Sequence, residues 1–275
     1  MATLQTTTAE SPAGGEPNKY LRRDLIFIAY AALITTLSQT QVLGDLPIRK
    51  QLMNFGADET AVSLFIFWSG LAWYLKPAFG LVIDAFPLLG TRRRWYMISA
   101  AALAALSWGL AGYSPRWCQP GHYGPFLTGT ILLGTFMVVA STIMGALLVE
   151  VGQRYQATGR VSAVREVVQN SCLIIMAPIS GWLADRVFGL TAGIGAGLLV
   201  SLAVAAYLWL PEKPVAKQDM QVWKKAGQQL KLIFGSGTLW AAAGLLTLYF
   251  FSPGFATPLQ FRPHQVRRCQ LVSGW

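Results

Sequence analysis

The sequence contains few charged residues. Asp, Glu, Lys and Arg make up 12% of the 275 residues, whereas apolar residues make up 53%. Soluble globular domains carry about 25% charged residues, because their surface must face water. A chain of this composition cannot surround its apolar residues with a polar shell. It is therefore predicted to be an all-α integral membrane protein.

Cysteine and histidine are also scarce. Cys118, Cys172 and Cys269 are odd in number and have no CxxC spacing, which indicates neither a disulfide framework nor a zinc site. His122 falls in a predicted loop and His264 in the C-terminal tail, and no metal-ligand spacing or GxSxG motif accompanies them. The sequence therefore predicts no cofactor, no metal site and no enzyme activity.

The sequence does contain a series of long apolar runs. A hydrocarbon core about 30 Å thick requires roughly 20 mainly apolar residues per helix, so each run predicts a membrane helix. Six runs cover residues 25–44, 61–83, 95–113, 126–149, 167–187 and 190–210. A seventh covers residues 238–261, where Pro253 and Pro258 predict a kink.

These runs predict the organisation of the chain. Residues 1–24 are polar and lack the apolar core of a signal peptide, so they are expected to form a disordered cytosolic tail. Residues 25–210 are expected to form a six-helix bundle, and the Lys-rich residues 211–237 a cytosolic connector to the seventh helix. Residues 262–275 do not continue the apolar pattern, as expected after a frameshift or premature stop, and the alternative is a short protein that dimerises.

Basic residues are distributed unequally between the two sets of loops. Fourteen Lys and Arg fall in the tail and the second, fourth and sixth loops, against four in the first, third and fifth. Cytoplasmic loops carry the excess of Lys and Arg, so the N-terminus is predicted to be cytoplasmic in a cell or inner membrane. A nucleic-acid binder would collect its basic residues on one face, so membrane lipids are the expected partners and nucleic acid is not.

One internal repeat is present. A GxxxD motif formed by Gly80 and Asp84 lies at the end of the second run. Gly181 and Asp185 form the same motif at the end of the fifth run. The two copies lie three helices apart and on opposite sides of the predicted membrane. This arrangement is typical of the inverted three-helix repeats of secondary transporters.

Lys76 is the charged residue that most needs an explanation, because it lies inside the second apolar run. Ser69, Trp73, Lys76 and Gly80 share one helical stripe, and a charge at this depth is costly and usually functional. Lys76 is expected either to pair with an acid or to receive an anionic group of a substrate, whereas a lysine that snorkels to the headgroups is the alternative. Pro77 allows a bend beside it. Further polar residues of the predicted substrate path are Gln39, Gln169 and Asn170.

A second constellation of charges lies at the predicted cytoplasmic helix ends. Opposite charges there can form a network that closes the bundle and breaks when it opens, while the arginines alone could serve topology or bind anionic headgroups. The residues are Asp84, Arg92, Arg93, Arg94, Glu150, Arg154, Arg165 and Glu166.

Glycines recur in the sixth run. Gly193, Gly195 and Gly197 have no preceding strand and therefore do not indicate a nucleotide-binding loop. Close helix packing through Gly193 and Gly197 is expected instead.

Three segments resemble the folate-biopterin transporter family of the major facilitator superfamily. Residues 76–96 read KPAFGLVIDAFPLLGTRRRWY, residues 147–159 read LLVEVGQRYQATG, and residues 252–261 read SPGFATPLQF. The resemblance implies the six-helix N-terminal half of such a transporter, with two inverted three-helix repeats and the start of a seventh helix. The family carries acids in its fourth helix where this chain has Ser141 and Gly145.

The resemblance implies a function. The chain is expected to contribute to alternating-access transport of a small, anionic organic solute of folate or pterin type, with a proton as candidate coupling ion. Family members have twelve helices, so the second half of the transporter is expected to be missing from this chain. An inactive truncated product, or a short membrane scaffold without transport activity, are the alternative expectations.

Overall fold

The computed structural model describes residues 17–86, 88, 91, 93–118, 121–210, 235–238, 240–241 and 244–245; the side chains of residues 17–20, 69 and 85 are excepted. The chain divides into two units, Met1–Asp219 and Met220–Trp275. All but a few residues of the predicted connector and of the predicted seventh helix lie outside the described residues, as do the predicted C-terminal tail and most of the predicted N-terminal tail.

The described part of the first unit is helical. Its elements are α1 (Pro17–Leu37), α2 (Asp45–Asn54), α3 (Glu59–Tyr74), α4 (Lys76–Ala85), α5 (Arg94–Tyr113), a 3-10 turn (Ser114–Arg116), α6 (Gly124–Arg154), α7 (Thr158–Ala184) and α8 (Phe188–Trp209). Among the described residues, five segments are long and apolar enough to cross a membrane: Glu59–Asp84, Arg94–Arg116, Gly124–Arg154, Thr158–Ala184 and Phe188–Trp209. The chain is therefore a multi-pass membrane protein.

The first apolar run does not form one uninterrupted helix. α1 starts at Pro17, inside the predicted tail, and stops at Leu37, and α2 starts only at Asp45. In the turn between them the carbonyl of Gln39 accepts hydrogen bonds from the amides of Val42 and Leu43, both at 3.0 Å. Residues 38–41 read SQTQ, and hydroxyl and amide side chains compete with the helical backbone for hydrogen bonds.

The second run contains a break as well. α3 ends at Tyr74 and α4 begins at Lys76, with Leu75 between them. Pro77 has no amide hydrogen to donate to the preceding turn, so an interruption of the helix is expected at this position. The two helices together form one candidate span of 26 residues.

Trp108 is the centre of the packing between α5, α8 and the α1–α2 turn. Its side chain is fully buried, and its indole Nε1 donates a hydrogen bond of 3.1 Å to the carbonyl of Ser38. A Cβ atom on Gly195 would lie 2.8 Å from the indole, and one on Gly44 would lie 2.9 Å from it. Both backbones can approach the ring only because these residues have no side chain.

The expectation of close packing through Gly193 and Gly197 was wrong. A Cβ atom at either position meets no atom within 4 Å, so both face away from the neighbouring described helices. Gly195 lies on the opposite side of α8, where it contacts Trp108. The sequence has a glycine at every second position from 193 to 197. Only the packing of α8 against its neighbours decides which of the three is buried.

Contacts between side chains show which loops lie at the same end of the first unit. Arg93 pairs with Glu150 at one end, which we call the Glu150 end. Lys50 pairs with Asp185 at the other, which we call the Asp185 end. This sorting agrees with the alternation of loops expected for successive membrane helices. Which end faces the cytoplasm stays a prediction.

Pairs of arginine and aromatic side chains lie at both ends. The guanidinium carbon of Arg94 is 4.9 Å from the ring centre of Tyr207 at the Glu150 end, and that of Arg186 is 5.0 Å from Trp182 at the Asp185 end. α5 has 20 residues, which at about 1.5 Å per residue span roughly 30 Å, the thickness of a hydrocarbon core. Aromatic and basic residues are typical of the two membrane interfaces.

Gly195→Ala should destabilise the protein, because the new methyl group would overlap the Trp108 indole. We expect a loss of about 1–3 kcal/mol, the usual cost of overfilling a packed site, measured as a lower melting temperature in detergent. Gly193→Ala is the matched control on the same helix and should melt at or above the wild-type temperature. Equal losses from both variants would contradict this account of the packing.

Candidate functional site

Lys76 lies at the start of α4 and contacts α6. Its Nζ donates a hydrogen bond of 3.0 Å to the hydroxyl of Ser141 and lies 5.2 Å from the ring centre of Trp73. The side chain is partly buried inside the span Glu59–Asp84. Among the described residues, no carboxylate forms an ion pair with it. The ammonium group therefore has polar and aromatic neighbours but no counter-charge.

The break in the second membrane segment places Lys76 at a helix N-terminus. The first turn of a helix carries a positive partial charge and favours anions rather than cations. α4 is ten residues long and Lys76 is its first residue. The ammonium group and the helix end therefore add their positive potentials at one point.

α4 is fixed to α6 near this point. One turn beyond Lys76, a Cβ on Gly80 would lie 3.5 Å from the Cγ2 of Thr142, an ordinary van der Waals contact. α4 and α6 therefore lie side by side here, with room for a methyl group at Gly80, beside the hydrogen bond between Lys76 and Ser141. Ser141 stands at a position where the resembling family carries an acid, but one sequence does not show that it faces Lys76.

The other residues of the predicted substrate path are at different positions. Gln169 is partly buried on α7, one turn after Arg165. Asn170 is exposed, and its amide donates a hydrogen bond of 2.8 Å to the Glu166 carbonyl. Gln39 lies in the turn that follows α1, towards the Asp185 end. The side chain of Ser69, on α3, is outside the described part of the chain.

The structure brings three of the predicted charged residues together at the Glu150 end. Glu150 accepts a hydrogen bond from Arg93 through one oxygen, and from the Nη2 of Arg154 at 2.6 Å through the other. The carboxylate therefore joins the start of α5 to the end of α6. Arg93 is mostly buried, with 18% of its side chain exposed.

Asp24 and Tyr155 extend this group, although the sequence did not single them out. The Asp24 carboxylate lies 4.0 Å from Arg154 and 3.6 Å from Arg23, and it accepts a 3.2 Å hydrogen bond from the hydroxyl of Tyr155. Burial raises the pKa of Tyr155, and the charge of Asp24 raises it further, so the hydroxyl stays protonated and donates. The position of Asp24, an acid directly before the first apolar run, could have indicated from the sequence that it belongs to this group of charges.

This group of charges borders a cavity of about 130 Å³. Its apolar wall comes from α1, α6 and the end of α8, and the charged groups face it at the helix ends. The residues are Arg23, Asp24, Phe27, Ile28, Arg93, Leu147, Glu150, Val151, Arg154, Trp209 and Leu210.

The remaining predicted members that the structure describes lie at other positions. Arg94 donates a hydrogen bond of 2.8 Å to the Tyr207 carbonyl, on α8. Asp84 and Glu166 are exposed, and neither forms an ion pair among the described residues. Arg165 lies two turns inside α7, and Arg92 falls outside the described residues.

The two aspartates of the GxxxD repeat lie at opposite ends of the unit, as the pattern predicts. Asp185 accepts a hydrogen bond of 2.8 Å from the Nζ of Lys50, which connects the end of α7 to α2. This hydrogen bond and the positive charge of Lys50 lower the pKa of Asp185. Asp84 lies in the last turn of α4, at the Glu150 end.

In the part of the chain that the structure describes, no group of three or more His, Cys, Asp or Glu side chains could hold a metal ion. Cys118 and Cys172 are free thiols there, both buried.

Glu150→Gln should loosen the Glu150 end, because a neutral amide cannot pair with two guanidinium groups. Since the carboxylate is partly exposed, we expect a loss of only about 1–2 kcal/mol, measured by thermal unfolding in detergent. The loss should shrink at high salt, which screens the more exposed Arg154. Glu166→Gln is the control and should melt like the wild type. A wild-type melting temperature for Glu150→Gln would rule out a stabilising role.

The pair of Lys50 and Asp185 predicts a pH dependence. The pKa of Asp185 is lower in the folded protein, so the pair stabilises the fold above the unfolded-state pKa, near 3.8, and loses this effect as the pH falls through the folded-state value. Asp185→Asn should therefore melt slightly below the wild type at neutral pH, and the difference should vanish in acid. Asp84→Asn is the control and should show no such difference. A pH-independent deficit would contradict the ion pair.

The comparison with known proteins places the chain in a transporter family. The BT1 family matches residues 51–238, which is more than half of the chain. The folate-biopterin transporter of Synechocystis sp. (strain ATCC 27184 / PCC 6803 / Kazusa) is 29% identical over 287 residues, which cover 94% of this chain and 55% of that protein. The chain thus spans about half the length of this relative, and no solved structure matches it. The chain belongs to the BT1 family, a family of membrane transporters rather than enzymes.

Proposed function

We propose that this protein takes part in the transmembrane transport of a small organic anion of folate or pterin type, and that Lys76 binds the anionic group. A small-molecule solute as partner follows from the family. The anionic class of solute rests on the surroundings of Lys76, which are the main support for the proposal.

The free-energy cost of placing the charge of Lys76 within a membrane span supports a functional role for this residue. A charge within a membrane span is unfavourable unless a partner or water compensates it. The described contacts of the ammonium group are the hydroxyl of Ser141 and the ring of Trp73, neither of which carries a negative charge. A carboxylate on the solute would supply the missing charge.

The interruption between α3 and α4 supports the same position. Secondary transporters bind anionic substrate groups at the N-termini of interrupted membrane helices, where the helix dipole is positive. α4 begins at Lys76 within such a segment. Trp73, in the last turn of α3, presents an aromatic ring on which a planar heterocycle could stack.

The surroundings of Lys76 also support the proposed architecture. α3, α4 and α7 belong to the two spans with the smallest buried share among the five candidates. They carry Lys76, Arg165 and Gln169, so their open faces are suited to a polar path between two halves of a transporter. We propose on this basis that the chain is the N-terminal half of a major facilitator. Two inverted three-helix repeats and a cytoplasmic N-terminus, which the GxxxD repeat and the loop charges predict, belong to the same proposal.

The proposal is tested by the binding of tritiated folic acid to the purified chain in detergent. Lys76→Ala should weaken saturable binding by about 10- to 100-fold, the effect of losing a charge-assisted hydrogen bond. Lys76→Arg keeps the charge and should bind more tightly than Lys76→Ala. Lys50→Ala, which removes a lysine from the exposed ion pair, is the control and should bind with wild-type affinity.

A scaffold protein would behave differently in this assay. It would show no saturable binding and no change in Trp73 fluorescence on addition of folic acid, as judged against a Trp73→Phe variant. Binding by Lys76→Ala as tight as that of the wild type would remove Lys76 from the site.

A further inference from the structure

The cavity at the Glu150 end combines an apolar wall with a charged rim. Phe27 on α1 and Trp209 on α8 are among its apolar lining residues. Its charged lining consists of three arginines and two carboxylates: Arg23, Arg93, Arg154, Asp24 and Glu150. Three positive charges against two negative charges leave one positive charge on the lining. This combination favours a ligand that has a singly charged anionic group and an apolar part.

The volume of the cavity limits what it can hold. It measures about 130 Å³, whereas sites for drug-sized ligands measure about 300–1,000 Å³. A complete solute of folate type is therefore too large for it. One small charged group, such as a phosphate, is the kind of ligand that this volume accommodates.

Aromatic side chains indicate that the cavity lies at the depth of the lipid headgroups. Trp209 is the last residue of the span formed by α8, and half of its surface is exposed. Its ring packs edge-on against that of Tyr30, with 6.3 Å between the ring centres. On the same end of α8, the ring of Tyr207 contacts the guanidinium group of Arg94. Trp, Tyr and basic residues at the end of a membrane span are typical of the interface between hydrocarbon and water.

Arg154 is held at the rim of this cavity in a position to bind an anion. It is the last residue of α6, and its side chain is half-exposed. Its Nη2 donates a hydrogen bond of 2.6 Å to Glu150, and its Nη1 lies 4.0 Å from Asp24, so carboxylates on two helices orient it. A guanidinium group has five N–H donors, so it can bind a second anion while it pairs with Glu150. The half-exposed side chain of Arg23 lies on the same rim, 3.6 Å from Asp24.

We propose that this cavity binds the phosphate group of an anionic phospholipid from the surrounding leaflet, with Arg154 and Arg23 as its ligands. Guanidinium groups bind phosphate through paired hydrogen bonds, and basic pockets between membrane helices recognise anionic headgroups in this way. The acyl chains remain in the hydrocarbon, and the bound phosphate connects the start of α1 to the end of α6. The inference goes beyond the proposed function, because the lipid is neither the solute nor a ligand of Lys76.

The experiment compares two phospholipids on the purified full chain in a neutral detergent. Phosphatidylglycerol, which is anionic, or phosphatidylcholine, which is zwitterionic, is added at the same mole fraction. At roughly tenfold above its Kd, phosphatidylglycerol should raise the melting temperature by about 3–6 °C relative to phosphatidylcholine. Native mass spectrometry should show one retained phosphatidylglycerol per chain.

Two results of this comparison would overturn the proposal. Equal melting temperatures in the two lipids would show that the cavity does not recognise an anionic headgroup. An equal rise with inorganic phosphate at the same concentration would show that the site takes a free anion rather than a lipid.

Substitutions on the rim test which residues bind the headgroup. Arg154→Gln should weaken the binding of phosphatidylglycerol about tenfold, because a charge-assisted hydrogen bond is lost. Arg154→Lys should weaken it less, since an ammonium group keeps the charge but not the paired donors. Arg23→Gln should also weaken it, and this variant leaves the contacts of Arg154 with Glu150 and Asp24 intact. Wild-type affinity in both Arg154→Gln and Arg23→Gln would remove the arginines from the site and overturn the proposal.

Arg186→Gln is the matched control for the attraction of any interfacial arginine to anionic lipid. Arg186 lies beside Trp182 at the Asp185 end, as Arg94 lies beside Tyr207 at the Glu150 end. Arg186→Gln should keep the wild-type affinity for phosphatidylglycerol, and a loss as large as that of Arg154→Gln would overturn a site in the cavity. The measurement contains no folic acid, so its failure leaves the proposed function in place, and a failure to bind folic acid leaves the lipid site in place.

Discussion

A hydrocarbon environment offers no water to a buried polar group, and this constraint organises the whole structure. Backbone groups must pair within helices, and charged side chains must move to the helix ends or find partners. Glu150 and Asp185 illustrate the second requirement at the two ends of the first unit, each with a basic partner from another helix. Lys76 departs from it, because it stays within a span with a neutral hydrogen-bond partner. That departure is the basis for assigning the site.

The packing divides the first unit into a firmly held part and a more open part. Trp108 joins α5, α8 and the turn after α1 through a buried indole that two glycine backbones approach closely. The span formed by α3 and α4 is the least buried of the five candidates. Lys76 lies in the open part, at the break between those two helices. The candidate site therefore lies on the span that the described residues bury least, which suits the proposed role in a transporter that changes conformation.

Periodicity and composition predicted most of the helices, and Pro77 indicated an irregularity beside Lys76, but they did not predict the interruption of the first run. The first run was expected to continue to residue 44, yet α1 ends at Leu37, because the polar residues that follow form a turn under Trp108. The charge network was predicted from helix ends alone. Glu150, Arg93 and Arg154 do meet, while Arg94 binds the end of α8 instead. Residues at one level of the membrane can face different neighbours, and a single sequence does not contain that information.

The sequence by itself determined that the protein spans a membrane, because the number and length of its apolar runs leave no other solvent for them. It also determined that Lys76 is exceptional, because depth within a run can be counted along the chain. The tertiary structure alone decided that Ser141 faces Lys76 and that Gly195, rather than its neighbours, packs on Trp108. The physical reason is that helix rotation and the pairing of faces depend on side chains distant in the sequence, whose shapes must fit together before any contact is defined.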